Sequence, residues 1–122
     1  MRQIAIGRAR YRLVAVERNG QWLAHAEDAD TGRAFGVACA GPTDDAAVDR
    51  LSRWLEWQAE HAAALEALQI AERAYHRTIA GGAFENSTGD LAAAELQAEA
   101  LDAVDSARIR LDEIRTGRPD TN

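Results

Sequence analysis

The side chains that could do chemistry in this chain are few, and their spacing decides what each could do. Cys39 would serve as a nucleophile with a base beside it, and His25 is the base that strand pairing would bring to the same sheet face. No third group is placed to orient that pair, and in the run RAFGVACA Cys39 reads as a small core residue. Glu72 and His76 stand four apart, so on a helix both could address one metal ion. A metal centre needs three or four ligands, and the chain has neither HExxH nor a Cys/His cluster. The pair therefore reads as solvated, beside Arg73 and Arg77, and His61 lies about four helical turns away from it. Glu27, Asp28 and Asp30 fall in a turn, and Asp44 and Asp45 at a helix start, where carboxylates are expected on structural grounds. With no P-loop and no GxGxxG, the chain is expected to be no enzyme and to bind neither metal nor cofactor.

Binding chemistry is better represented. Arg8, Arg10 and Arg12 alternate, which would set all three on one side of an extended segment as a ladder for RNA or DNA phosphates. Tyr11 would then face the other way, and Arg12 opposite Glu27 gives the arginine a structural role instead. Trp22, Trp54, Trp57 and Tyr75 are the candidates for a protein-binding surface, because large aromatics dominate interface energetics. Trp54 and Trp57 are three apart on one helix and cannot both follow the stripe of Leu51 and Leu55.

The elements that must position these residues are legible from turns and periodicity. Asn19-Gly20 supplies two positive-φ positions for a tight hairpin, which pairs Arg18 with Gln21, Val16 with Leu23, Val14 with His25 and Arg12 with Glu27. EDADTGR is a second turn, returning the chain as a third strand, RAFGVACA. The face with Val14, Val16, Leu23, Phe35, Val37 and Cys39 is expected to be the core side. The face with Ala24, Ala26, Ala34, Gly36 and Ala38, with Leu13 and Trp22 at one end, should stay wet or lie close against another backbone. After Gly41-Pro42, Thr43 is a candidate N-cap. Val48, Leu51, Leu55, Ala62, Leu65, Leu68, Ala71, Tyr75 and Ile79 then make one apolar stripe that runs unbroken to Gly81-Gly82. A second helix follows Asp90, with Leu91, Ala94, Ala98, Leu101, Val104, Leu111 and Ile114 as its stripe, and Ser87 to Asp90 resembles a capping box. The fold class is α+β: an N-terminal three-stranded antiparallel sheet, then a long antiparallel helical hairpin. As one domain over 1–122, its parts are sheet 1–41, helix 43–80, loop 81–89, helix 90–115 and tail 116–122.

Composition narrows the function. The chain has 122 residues, 47% apolar and 28% charged, which is ordinary for a globular protein. Its fourteen basic residues are all arginine, a usage that fits GC-rich codon bias. A net charge of −6 disfavours generic nucleic-acid binding, although residues 1–18 hold five arginines against Glu17 alone. A single cysteine rules out an internal disulfide and suits a reducing compartment. With no apolar leader and no stretch near a membrane span, a cytoplasmic protein is expected.

Tyr11, Leu13, Ala15, Gly20, Trp22 and the stretch PTDDAAVDRL occupy the places of a recurring strand–turn–strand–strand–helix pattern, and 11–57 resembles the HicB-type antitoxin domain. Members usually begin the helix with SxEEA, where this chain has PTDDA, and often add a DNA-binding segment that the helical arm does not contain. The resemblance implies a β-β-β-α module that binds a protein partner and oligomerises. The expected function is thus a non-enzymatic interaction or regulatory protein, docking on a protein partner or on itself as a homodimer through its helical arm. An acidic antitoxin-like or anti-defence inhibitor of a nucleic-acid-binding protein is the alternative, and nucleic-acid contact through Arg8, Arg10 and Arg12 the third.

Overall fold

The structure, a computed structural model, describes residues 2–84 and 90–121. Its elements in chain order are β1 (Arg2–Ile6), β2 (Ala9–Arg18), β3 (Gln21–Asp28), β4 (Ala34–Gly41), α1 (Asp44–Phe84) and α2 (Asp90–Thr116). They divide into two compact units, Met1–Ala59 with Arg118–Asn122, and Glu60–Gly117.

In the first unit the four strands form an antiparallel meander in the order β1-β2-β3-β4. The sequence reading had three strands. β1 escaped it because RQIAI is short and its alternating Ile4 and Ile6 sit in an arginine-rich stretch that reads as polar. Asn19 (φ 51°) and Gly20 (φ 79°) make the expected turn, and the β2–β3 register is the one counted out from it: Val16 opposite Leu23, Val14 opposite His25, Arg12 opposite Glu27. At the next turn, Asp28 Oδ1 accepts hydrogen bonds from the amides of Asp30 (2.8 Å) and Thr31 (3.0 Å). These amides, Thr31 first, hold the Asp28 carboxyl below its ordinary range.

The core lies on the other sheet face from the one expected. Leu13, Ala24, Ala26 and Cys39 are buried together with Ala47, Val48, Leu51, Trp54 and Leu55 of α1, while Val16 is 49% exposed. Alanines face the helix because a helix must approach the sheet closely. At Gly41 the contact is so tight that a Cβ would stand 2.6 Å from the Ala47 nitrogen. β4 joins this face through a bulge. Ala24 pairs with Cys39 but Ala26 pairs with Phe35, so three residues of β4 face the single His25. Cys39 therefore shares a face with Ala24 and Leu13, not with Val14 and His25.

α1 begins as the sequence indicates: Thr43 Oγ1 accepts from the Ala46 amide at 3.1 Å, and Asp44 and Asp45 occupy the first turn. Arg2 ties β1 to this turn-rich end through Asp49 at 2.8 Å. The tail belongs to the same unit, with the Ala40 amide donating to the Thr121 carbonyl at 3.0 Å and the Arg118 guanidinium 5.7 Å from the Trp57 ring centre.

The second unit is an antiparallel helical hairpin. Arg115 Nε donates to His61 Nε2 at 3.2 Å, joining the end of α2 to the part of α1 that opens this unit. Ala64, Val104 and Leu111 are buried. α1 runs to Phe84, beyond the expected stop near residue 80, because two glycines cost a helix only about 1 kcal/mol each and no proline intervenes. The remainder of the expected loop, with its capping-box serine, lies outside the described residues. α2 ends at Thr116, where the Gly117 amide donates to the carbonyls of Glu113 and Ile114, both at 3.2 Å.

Candidate functional site

The two groups that could resemble a Cys–His site are kept apart. Cys39 is 0% exposed among the residues under α1, and burial pushes its thiol pKa up, only partly offset by Arg50, so the nucleophilic thiolate is disfavoured. His25 lies on the opposite, open face, where its Nε2 is 3.1 Å from Glu27 Oε1 and Glu27 Oε2 is 3.9 Å from Arg12. That row sets the Glu27 carboxylate between the Arg12 guanidinium and the His25 imidazole across β2 and β3.

The arginine ladder also changes. Arg8 is in the β1–β2 turn and not on an extended strand, leaving Arg10 and Arg12 on the open face. Arg10 pairs with Asp30 at 3.1 Å and Arg12 with Glu27, so both guanidiniums already hold a carboxylate. Tyr11 is on the helix side, stacked on Phe35 with ring centres 4.9 Å apart. Tyr11 and these two arginines therefore lie on opposite faces of the sheet, as their alternation predicts.

Of the four aromatic candidates, Trp54 is a core residue, 6% exposed, and leaves the set of surface groups. Trp22 packs half-buried against the core cluster, Trp57 lies half-buried beside Arg118, and Tyr75 is half-buried in the second unit with its ring centre 6.1 Å from that of His76. Glu72 and His76 line a shallow depression of about 460 Å³ with Gln69 and Arg73. Another, of about 310 Å³, is lined by Arg2, Leu13, Ala15, Asp44, Asp45 and Val48, with Arg2 already bound to Asp49. Among the described residues, no three of His, Cys, Asp and Glu converge as metal ligands, and no helix is long and apolar enough to cross a membrane.

The surface that stands out is on α2. Ala93, Gln97, Ala100, Val104, Ala107, Leu111 and Ile114 recur at alternating steps of four and three and are the buried or half-buried row of this helix. The stripe expected from the sequence crossed between rows: Val104, Leu111 and Ile114 belong to this seam, but Leu91, Ala94, Ala98 and Leu101 belong to a neighbouring row that is exposed. Leu91 is 83% exposed and Leu101 42%. Continued at the same steps, this second row meets Asp105, Arg108 and Asp112, so its apolar part is confined to the first half of α2. Beside it runs a third row, also exposed, of Glu95, Glu99, Asp102, Ser106, Ile109 and Glu113. The unit Glu60–Gly117 holds eleven acidic residues against five arginines, so the chain's whole net charge of −6 falls there.

The physical capacity of this arrangement is to bury leucine against another apolar surface while presenting carboxylates at the margin. The sequence carried the signal, since Leu91 and Leu101 are ten residues apart in an alanine-rich stretch. It was lost by assuming one stripe where the helix has two. No family model matches the chain, and no curated protein or solved structure matches it.

Proposed function

We propose that the chain is a non-enzymatic protein-binding module whose docking element is the exposed row Leu91, Ala94, Ala98 and Leu101 of α2. The observation that supports this reading is leucine left in water beside a seam that is already filled. Val104 and Leu111 fill the hairpin seam, while Leu91 stays 83% exposed and Leu101 keeps 42% of its surface in water. Fully burying one leucine is worth about 2 kcal/mol, so the two mark the apolar contact while its margins must supply the rest of the affinity. The sheet contributes a scaffold, with Arg10 and Arg12 of its open face already paired with Asp30 and Glu27. A lone thiol kept buried fits a cytoplasmic, reducing setting.

The test compares the tagged parent chain with a Leu91→Ser/Leu101→Ser variant, both purified from the native cell. The reading predicts a stoichiometric protein, or a second copy seen by sedimentation, held by the parent and lost from a variant of unchanged helicity. A parent that sediments as a bare monomer, indistinguishable from the variant, overturns it.

A further inference from the structure

We infer that the occupant of this row is a cationic amphipathic helix of a different protein, rather than a second copy of this chain. The inference rests on the docking role proposed for α2 and adds the chemistry of the partner.

The shape argument comes from spacing. Leu91, Ala94, Ala98 and Leu101 advance by three, four and three residues, which sets a leucine at each end of one line of the helix with two alanines between them. Such a line is a ridge-and-groove surface suited to another helix bearing apolar residues at the same interval. A strand or an irregular loop would meet it at scattered points.

The charge argument selects between helices. Glu95, Glu99 and Asp102 flank the leucine row on one side from Ala94 to Leu101, and no arginine occurs in α2 before Arg108. A two-fold antiparallel pairing of α2 with its own copy that sets Leu91 against Leu101 would bring the row Glu95, Glu99 and Asp102 against the same row of the second copy. Like charges placed face to face at a closing apolar contact cost several kcal/mol. Each unit of charge −6 would also be brought against a second of the same sign. A partner helix with leucines in register and arginines or lysines at its margins meets every one of these groups with its complement. The exposed Arg108 and Arg110 mark where the cationic helix should end, since beyond them the row turns to mixed charge.

The experiment titrates the full chain with a synthetic amphipathic peptide about three heptads long, leucine at the seam positions and arginine at the flanks. A scrambled peptide of identical composition is the control. Saturable binding of the patterned peptide alone is expected, weakened at least about tenfold by Leu91→Ser/Leu101→Ser. A similar loss is expected for Glu95→Gln/Glu99→Gln/Asp102→Asn. It should also weaken as ionic strength rises from about 0.1 M to about 1 M, where the screening length falls from about 10 Å to about 3 Å. Equal binding of the scrambled peptide, or no saturable binding, overturns the inference. So does a dimer by sedimentation that the serine variant breaks, although that last result leaves the docking role of the row intact. All substituted positions are exposed, so unchanged far-ultraviolet circular dichroism verifies that each variant folds.

Discussion

The indole of Trp54 lies directly beneath Gly36, so close that a Cβ on that glycine would stand 2.9 Å from Trp54 Cζ3. Gly36 also holds a φ of +80°, inside the bulge that lets β4 turn Cys39 towards the helix. One residue thus satisfies two demands, a left-handed backbone and a missing side chain. Gly36→Ala is expected to destabilise the protein by about 2–4 kcal/mol, adding backbone strain to overpacking. Chemical denaturation measures it. A double-mutant cycle with Trp54→Leu should recover the overpacking part; additive losses would mean the two residues do not meet.

Thr43 Oγ1 caps the amide of Ala46, and α1 begins on the core side of the sheet. Thr43→Ala should cost about 1 kcal/mol, and Thr43→Asp should restore most of it. Thermal melts of the three proteins decide this, and equal midpoints would contradict the cap.

Asp28 gives the acid limb of stability its expected shape. Its carboxyl is held below the ordinary 3.8 by the Thr31 and Asp30 amides. A depressed folded value means stability that is present above 3.8 and is lost as pH falls through the folded value. Asp28→Asn should therefore flatten the decline below 3.8, read from denaturation midpoints against pH. Superimposable acid limbs would exclude this turn as the cause.

Cys39 predicts the alkaline limb. Burial raises its pKa above 9.0, so the unfolded chain ionises first and stability falls as pH rises past that point. Towards an aromatic disulfide reagent at neutral pH, the native thiol should be unreactive and become fully reactive once guanidinium unfolds the chain. Rapid modification of the native protein would contradict its placement under α1.

How far the sequence carried these conclusions differs between elements. Asn19-Gly20 determined a turn with its register, because two positive-φ residues leave few alternatives. Which face of that hairpin is buried was not determined by it. Val16 and Leu23 look like core beside Ala24 and Ala26, and only the closeness of the helix, felt at Gly41, makes alanine the better neighbour. The bulge at Gly36 compounded the error, since strict alternation across β4 cannot show where it gains residues against β3. On α2 the residues of the candidate surface were all in view. A stripe drawn through Leu101 to Val104 fits the helical period locally, and the burial of Ala100 and Val104 beside an exposed Leu101 is what separates the two rows.

The central claim, that the row Leu91 to Leu101 is where another helix docks, is tested most directly by photo-crosslinking. A photoreactive amino acid would be placed singly at each position from 91 to 104, and at 16 and 23, of the full chain in its native cell. The account predicts one discrete adduct whose yield peaks at 91, 94, 98 and 101 and falls to background at 93, 97, 100 and 104. A flat profile, or strong adducts from the sheet positions Val16 and Leu23 with none from α2, would contradict it.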